Sequence, residues 1–332
     1  METNAEQSAQ FVPIQNADLA GDLELTFDLY LRLPLNERIV LYRRQGDILE
    51  KDRLAKFSRA ENSNLVIRRD DYAKFVSYVS DRLKKLLDVT PGANNRQVYG
   101  KAVRGLLRGT FENQDAAVVR SMMDNLNDVS SVVIDSVLNE INENGRRTYR
   151  NLVNLAATGT DFQKHPVNVA SLAVMIGLGS GYSSKRTVAD VSMAALLHDL
   201  GLAKLPGDLA LQAHRKNSYS LDDRMKIDDH VQHSISIIDE RNIVISALTR
   251  TMIEQHHEKF NGSGFPRKLR GLQVSPFAQI LHMADEIDQQ VFGSVDGREV
   301  GLNLKGLFEE WHRDKVFEPR LLHRVRALFF SN

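Results

Sequence analysis

The chain has 332 residues, 42% hydrophobic and 26% charged, a composition that excludes a disordered protein and leaves room for two globular domains. Lys plus Arg and Asp plus Glu both number 43, so no net charge attracts a nucleic acid polymer or an anionic membrane. The absence of cysteine excludes disulfides, thiolate metal sites and a cysteine nucleophile. Without a signal-peptide pattern or an apolar run of about 18 residues, we expect a cytoplasmic chain with no membrane span.

The first part of the chain, residues 1–92, is predicted to form a small α+β domain. Alternating apolar and polar residues predict strands at three places, residues 27–33, 38–43 and 64–68. A helix is predicted over 48–59, after a turn that contains Gly46. A second helix, capped by Asp70, has an apolar face and is stopped by Pro91-Gly92, which closes the domain. The sequence assigns no function to this domain.

Residues 93–144 are predicted to form a helical connector. A helix around 95–109 precedes a longer one from about 113 to 142, whose apolar stripe extends from Val118 to Ile141. Such a stripe indicates packing inside a helical bundle. The alternative is a joint that dimerises or carries a signal between two domains. The oligomeric state is left open by the sequence.

The remaining segment, 145–332, has a helical pattern with breaks at 177–184, 206–207 and 262–271. No strand pattern interrupts it, so the chain as a whole is predicted to be mostly α, with an all-helical bundle at its C-terminal end. The residue types that carry chemistry lie in this segment.

The first candidate pair for chemistry is His198-Asp199. A helix over 187–198 places Val191, Ala195 and His198 on one face, so His198 lies at the buried end of that helix. Asp199 follows directly and can turn toward the same point. Taken alone, the histidine is better explained as a hydrogen-bonded core residue than as a metal ligand.

Further inward-facing polar residues favour a metal site. His230 lies on the inner side of its helix, whereas His233 lies on the outer side. An apolar stripe leads to His256-His257, and a helix that begins with Ser275 and Pro276 carries Asp285 inward. Adjacent buried imidazoles and a buried carboxylate are costly unless a cation or a proton binds them.

Together these residues resemble the HD-GYP branch of the HD-domain metal phosphohydrolases. The resemblance covers about 145–332 and rests on a series followed by a GSGFP loop: His165, His198-Asp199, His230, His256-His257 and Asp285. It implies an all-helical bundle in which these seven residues bind two metal ions. Iron is the first choice, with manganese or zinc as alternatives. The family hydrolyses cyclic di-GMP.

Coordination numbers agree with the resemblance. With Asp199 bridging, seven residues supply about eight bonds, whereas two six-coordinate ions need about twelve, so roughly four positions stay open for a bridging hydroxide and phosphate oxygens. Two ions close together activate the bridging water for in-line attack on phosphorus. Asp161 matches a carboxylate that binds a third metal in some relatives, but a helix that contains Pro166 near its start favours Asp161 as a cap.

Three departures from the family pattern concern the substrate. Leu202 replaces the lysine that follows the His-Asp pair, so Lys204 is the candidate catalytic amine, with a solvated side chain as the alternative. Phe265 replaces the tyrosine of GYP, and the sequence after Asp288 lacks the expected arginine stretch. The predicted substrate contacts are Gly264, Phe265, Pro266, Arg267 and Lys268, and Arg270 offers a further charge. A charge cluster beside a loop is more often solvated.

Two functions follow from this pattern. The first is a metal-dependent phosphodiesterase that hydrolyses cyclic di-GMP or a related phosphate ester, with Asp199 bridging the ions and Lys204 or the nearby arginines steadying the phosphate. The alternative is a catalytically weak or inactive HD-GYP-like sensor. It would bind a nucleotide and signal to a partner protein through the N-terminal domain and the connector.

Overall fold

The computed structural model divides the chain into two compact units. It describes residues 10–14, 19, 23–33, 38–49, 65–72, 74–75, 77–78, 103, 106–107, 115–145, 165–206, 209, 213, 220–292 and 304–330. The first unit comprises Met1–Pro91 and Arg120–Met122, and the second comprises Gly92–Val119 and Met123–Asn332. The three segments expected from the sequence, 1–92, 93–144 and 145–332, stay a prediction about domain organisation.

A four-stranded antiparallel sheet forms the centre of the first unit. Its strands, in the spatial order β1-β4-β2-β3, are β1 (Phe11–Pro13), β2 (Leu29–Arg32), β3 (Ile39–Arg43) and β4 (Leu65–Arg68). The three predicted strands are confirmed. The sequence missed β1 because three residues are too few to show a period. The predicted helix over 48–59 lies outside the described residues from position 50, and Ile48 forms an isolated bridge with Glu24.

Aromatic side chains build the core of this unit. The ring of Phe27 packs edge-to-face against Phe75 and Tyr78, with 5.5 Å between ring centroids in both pairs. Tyr78 and Phe75 are three residues apart in helical backbone, so they share the helix face that packs against Phe27. The predicted cap Asp70 lies inside a short 3-10 turn, Arg69–Asp71, rather than at a helix N-terminus.

The regular secondary structure described in the second unit is entirely helical. Its helices are α1 (Ala116–Asn144, of which Arg120–Met122 belong to the first unit), α2 (His165–Gly179), α3 (Lys185–Leu197), α4 (Leu221–Asp228), α5 (His230–Glu240), α6 (Ala247–Gln255), α7 (Pro276–Phe292), α8 (Leu304–Arg313) and α9 (Pro319–Phe330). The predicted long helix is confirmed as α1, whose N-terminus is capped by Asp115 accepting the Ala117 N–H at 2.8 Å. Within the described part of the chain, none of the helices has both the length and the apolar character to span a bilayer.

Helix α2 is the central helix of the bundle. It packs against α3, α7 and α9, and α3 in turn packs against α6. Nearly every residue from His165 to Gly177 is buried, which is expected of a helix that is apolar on all sides. The predicted fold class, a mostly α chain with a C-terminal helical bundle and a small α+β unit, is confirmed. Burial of α2 brings His165 into the interior.

Candidate metal centre

The seven residues predicted as metal ligands come together inside the helical unit. His165, His198 and Asp285 form one group, which we call the mixed cluster. A second group, the histidine cluster, consists of His230, His256 and His257. In each cluster the candidate ligand atoms lie within 4.8 Å of one another. These are the described groups in which three or more donor atoms approach closely enough to hold one ion.

Asp199 lies between the two clusters and presents one oxygen to each. Its Oδ2 is 3.4 Å from Nε2 of His165 and 3.2 Å from Nε2 of His198. Its Oδ1 is 3.3 Å from Nε2 of His230 and 4.0 Å from Nε2 of His256. A carboxylate with this orientation can bridge two cations, one on each side.

The ends of four helices deliver the imidazoles to this point. His165 is the first residue of α2, and His230 is the first residue of α5. His198 and His256 directly follow the last residues of α3 and α6. Asp285 comes from the middle of α7, whose N-terminal Pro276 confirms the predicted start of that helix. The sequence places donors at helix ends, where side chains of different helices can converge.

A close backbone approach joins the His198-Asp199 pair to helix α5. The Gly201 N–H donates to Oγ of Ser234 at 2.8 Å, and that hydroxyl donates to the carbonyl of His198 at 3.0 Å. A Cβ at position 201 would lie 2.0 Å from the carbonyl oxygen of His230. Only glycine therefore allows the two clusters to come this close. His233, predicted to be on the surface, is half-buried beside Gly201.

At four of the five candidate imidazoles, a hydrogen-bond acceptor holds the outer nitrogen, Nδ1. The ring of His257 instead contacts the rings of neighbouring residues. Three Nδ1–H groups donate to the carbonyl three residues earlier: His198 to Ala195 at 2.8 Å, His230 to Ile227 at 2.6 Å, and His256 to Ile253 at 2.7 Å. His165 instead donates from Nδ1 to Oδ2 of Asp288 at 2.6 Å. A carbonyl oxygen only accepts, so the proton is on Nδ1 and the Nε2 lone pair points into the cluster.

The inner nitrogens show that the donors fit a cation. Nε2 of His230 lies 3.1 Å from Nε2 of His256, and Nε2 of His165 lies 3.3 Å from Nε2 of His198. Two lone pairs that face each other at this distance repel unless a cation or a proton lies between them. Imidazole nitrogens with carboxylate oxygens are the donor set of divalent transition metals. The residues present therefore suit the metals expected from the sequence.

The two clusters differ in their electrostatics. Burial lowers the pKa of His165, but hydrogen bonds to Asp199 and Asp288 outweigh it, so the pKa lies well above its ordinary value. Burial, followed by repulsion from neighbouring imidazoles, holds the pKa of His256 and of His257 well below the ordinary value. When no ion is present, His165 therefore favours the protonated form, whereas His256 and His257 favour the neutral form.

The loop after the His-His pair is fastened by Glu258. Its carboxylate is fully buried and accepts the N–H groups of Arg267 at 2.6 Å and Leu269 at 2.8 Å. A Cβ at Gly264 would lie 2.4 Å from the Lys259 nitrogen, so the loop folds back too closely for any other residue. Glu258 thus supports the loop that contains the predicted substrate contacts.

The predicted substrate contacts are divided between packing and exposure. Gly264 is buried, and Phe265 stacks on the ring of His257 with 4.6 Å between centroids and 24° between planes. Pro266 is half-buried, whereas Arg267 and Lys268 are exposed. Phe265, in place of the family's tyrosine, therefore supports a candidate ligand. The two basic side chains stand at the outer edge of the loop.

The hydrogen bonds of Lys204 lead away from the clusters. Its Nζ donates to Oγ of Ser236 at 3.0 Å and to Oε1 of Glu240 at 3.2 Å. Ser236 is six residues beyond His230, which is roughly 9 Å along the axis of α5. These contacts favour a structural role for Lys204. Asp161, the candidate for a third metal, lies outside the described residues, as does most of the divergent stretch after Asp288.

Helix α7 contributes two further residues that the sequence interpretation missed. Asp288 accepts from His165, and Nε2 of Gln289 donates to both carboxylate oxygens of Asp285 at 2.9 and 3.0 Å. A signal was present, because positions three and four residues after Asp285 share its helix face. Glu258 directly follows the His256-His257 pair, but nothing in the sequence reveals its two backbone partners.

Comparison with known proteins agrees with this geometry. The family model of the HD domain matches residues 133–303, just over half of the chain. The "3′3′-cGAMP-specific phosphodiesterase 2" of Vibrio cholerae is 23% identical over 179 residues, covering 54% of this chain and 30% of that protein. The "cyclic di-GMP phosphodiesterase response regulator RpfG" of Xanthomonas campestris is 29% identical over 189 residues, 55% of this chain and 48% of that protein. The chain thus spans less than half the length of these curated relatives.

A solved structure has the same fold over nearly the whole chain. Bd1817, a HDG"Y"P protein from Bdellovibrio bacteriovorus, superposes with a TM-score of 0.63 at 21% identity, covering 96% of this chain and 98% of that one. At this identity the likeness shows the fold. With the family model and the ordered series of histidines and aspartates, the conclusion is that the chain belongs to the HD-domain family, in its HD-GYP branch.

Proposed function

We propose that the chain is a metal-dependent phosphodiesterase that hydrolyses cyclic di-GMP or a related phosphate ester. The observation that carries the proposal is Asp199, whose two oxygens face two separate clusters of donors at 3.2 to 3.4 Å from the nearest imidazole nitrogens. A single metal site would need only one of those clusters. Two clusters around one shared carboxylate are the arrangement that dinuclear hydrolysis of phosphate esters requires.

The names of the relatives support the same reaction class. The matched proteins from Vibrio cholerae, Xanthomonas campestris and Thermotoga maritima are described as phosphodiesterases of cyclic di-GMP or of 3′3′-cGAMP. We therefore place the substrate of this chain among cyclic dinucleotides, with other phosphodiesters as the wider class.

The roles of the residues follow from their contacts. We propose that His165, His198 and Asp285 hold one ion, and that His230, His256 and His257 hold the other, with Asp199 shared. When bound, the pair of ions would supply Lewis acidity toward phosphate oxygens and lower the pKa of a water molecule. Iron is our first choice of metal, with manganese and zinc as the alternatives that the same donors accept. The backbone carbonyls and Asp288 keep the imidazoles aimed inward.

Arg267 is the better candidate for a phosphate contact than Lys204. The guanidinium of Arg267 is exposed and lies 3.6 Å from Glu254. A surface pair of this kind is worth about 0 to 1 kcal/mol, so a phosphate can replace the carboxylate at little cost. Lys204 has two acceptors that it would have to leave. The bidentate geometry of arginine also suits a phosphodiester.

A second function, nucleotide sensing without hydrolysis, is favoured by one observation. The amine predicted to steady the phosphate, Lys204, is bound to Ser236 and Glu240, and Leu202 occupies the position where the family has a lysine. A chain with both clusters intact but no amine at the substrate would bind a cyclic dinucleotide and turn it over slowly or not at all. Its bound state would then pass to a partner protein.

The experiment compares two matched variants. The chain is reconstituted with Fe²⁺ or Mn²⁺ and incubated with cyclic di-GMP and with 3′3′-cGAMP, and products are separated by chromatography. Asp199→Asn removes the shared charge, whereas Asp190→Asn makes the same change on α3 at a carboxylate that accepts from Thr249. Hydrolysis that survives Asp190→Asn and disappears in Asp199→Asn supports the phosphodiesterase. Tight binding without product supports the sensor, and a reconstituted chain that holds no metal excludes both.

A further inference from the structure

Asp288 is a carboxylate that holds a candidate ligand, His165, by its outer nitrogen. It is 2% exposed, and its Oδ2 accepts the Nδ1–H of His165 at 2.6 Å. His165 itself is 6% exposed, and its Nε2 faces Asp199 at 3.4 Å and Asp285 at 3.3 Å. The imidazole is therefore clamped between one carboxylate on its outer nitrogen and two on its inner nitrogen.

The other imidazoles with a described partner at Nδ1 have a backbone carbonyl as the acceptor. His198, His230 and His256 donate to a carbonyl of their own local backbone, three residues earlier. At His165 a carboxylate takes the place of the local carbonyl. The residue that replaces it comes from α7, 123 positions later in the chain.

A carboxylate has a different effect from a carbonyl on the ring it holds. It accepts the Nδ1 proton through a charge-assisted hydrogen bond, which fixes the tautomer and the ring plane and raises the basicity of Nε2. A second carboxylate of the same helix, that of Asp285, faces Nε2 of His165 on the other side of the ring. Helix α7 thus sets both the position and the donor strength at His165.

We propose that Asp288 is a positioning residue for the mixed cluster, which orients His165 and strengthens its bond to the ion on that side alone. The inference rests on the proposed function in that it requires both clusters to bind metal. Outer partners of metal-bound histidines typically contribute about 10- to 100-fold in metal affinity. We expect an effect of that size at the mixed cluster and no change at the histidine cluster.

Stepwise Co²⁺ titration of the metal-free full chain tests the proposal, with affinity measured against a competing chelator and the absorption spectrum recording the ligand field. In the His257→Ala variant only the mixed cluster should still bind Co²⁺. In the Asp285→Ala variant only the histidine cluster should still bind it. Asp288→Ala is added to each. We expect it to weaken Co²⁺ binding by roughly 10- to 100-fold in the His257→Ala background and to leave binding in the Asp285→Ala background unchanged.

Asp288→Asn keeps the shape of the side chain and an acceptor for the Nδ1–H, so it tests the charge even where the alanine variant does not fold. We expect a loss between those of the parent and of Asp288→Ala. Glu286→Gln is the matched control, because Glu286 lies two residues earlier on α7 but bonds to Trp311 and faces His282. It should change thermal stability and not Co²⁺ affinity.

The outcomes separate the inference from the proposed function. Unchanged binding in both backgrounds, or equal weakening in both, overturns the role of Asp288 while the metal centre stands. A parent chain that binds no Co²⁺ overturns the metal centre and the inference together. Weakening confined to the His257→Ala background, with a changed Co²⁺ spectrum, supports the inference.

Discussion

The mixed cluster and the histidine cluster share Asp199 but differ in the charge that surrounds them. The mixed cluster has a carboxylate of its own, Asp285, and a second one behind His165. The histidine cluster, by contrast, is made of three imidazoles and has no carboxylate apart from the shared Asp199 among the described residues. The pKa shifts follow this division, because that of His165 is raised by its carboxylates and that of His256 is lowered by burial and by neighbouring imidazoles.

This difference indicates how one buried site can exist both with and without ions. Without metal, protons on His165 and His198 compensate the carboxylates of the mixed cluster, whereas His256 and His257 favour the neutral form. With metal, the mixed cluster offers more anionic oxygen, which suits hard ions such as Mn²⁺. The histidine cluster offers more nitrogen, which suits Fe²⁺ or Zn²⁺. The two positions therefore need not prefer the same metal.

The largest expected effect is at the residue that the clusters share. Asp199→Ala should abolish metal binding at both clusters and any hydrolysis, because each ion loses an anionic ligand. Asp285→Ala should remove the ion of the mixed cluster alone, and His257→Ala that of the histidine cluster alone. Metal content per chain, measured after reconstitution and dialysis, checks the three variants. Equal metal loss in all three would mean that the clusters act as one site.

The next largest effect is a loss of folding stability when a side chain is added at Gly201 or Gly264, where backbone segments lie close together. A Cβ at Gly201 would meet the His230 carbonyl at 2.0 Å, and one at Gly264 would meet backbone of the His257 segment at 2.5 Å. Alanine at either position should lower the free energy of unfolding by about 3 kcal/mol or more, since backbone atoms cannot yield as side chains do. Urea unfolding measures this decrease in the free energy of unfolding. Gly201→Ala separates the clusters, whereas Gly264→Ala disturbs the histidine cluster.

Gly177→Ala is the control for both glycine variants. Gly177 is helical, and a Cβ there would find no atom within 4 Å. Alanine should stabilise the folded state by about 0.5 to 1 kcal/mol, because it restricts the unfolded chain and favours helix. A destabilised Gly177→Ala variant would show that glycine content in general, rather than the two close approaches, limits stability.

The inward position of several candidate ligands could be predicted because they lie on the apolar faces of strongly patterned helices. A period of 3.6 residues is enough to place His198 and Asp285 inward, and the structure brings both to Asp199. The strands and the long helix α1 were predictable for the same reason. In each case the information is local in the sequence.

The supporting residues depend on contacts between distant segments, which a period cannot show. Asp288 meets His165 across 123 positions, and Ser234 joins Gly201 to His198 across more than 30. The position of Lys204 had the same difficulty. Lys204 lies two residues beyond the position of the family lysine, and its partners on α5, Ser236 and Glu240, are evident only in the structure.

A smaller effect is expected at Glu258, which supports the histidine cluster through its loop. Glu258→Gln replaces a charged acceptor of two N–H groups by a neutral one and should cost about 1.5 to 3 kcal/mol. The control, Glu254→Gln, breaks a surface pair with Arg267 and should cost about 1 kcal/mol or less. Thermal unfolding of the two variants in parallel checks the order. If Glu254→Gln proves the more damaging, the loop is held by its surface pair.

The smallest effect concerns the ring that stacks on His257. Phe265→Ala removes a stacked pair worth about 0.5 to 1.5 kcal/mol beyond the lost apolar area, and it should weaken metal binding at the histidine cluster while leaving the mixed cluster unchanged. Phe265→Tyr keeps the ring and restores the residue typical of the family, so stability and metal content should match those of the parent. Turnover of cyclic di-GMP measured on both variants then separates two roles of this position. A gain in Phe265→Tyr alone shows that a hydroxyl at position 265 reaches the substrate, whereas equal turnover in the parent and Phe265→Tyr, with a loss in Phe265→Ala, shows that the ring serves only to hold His257.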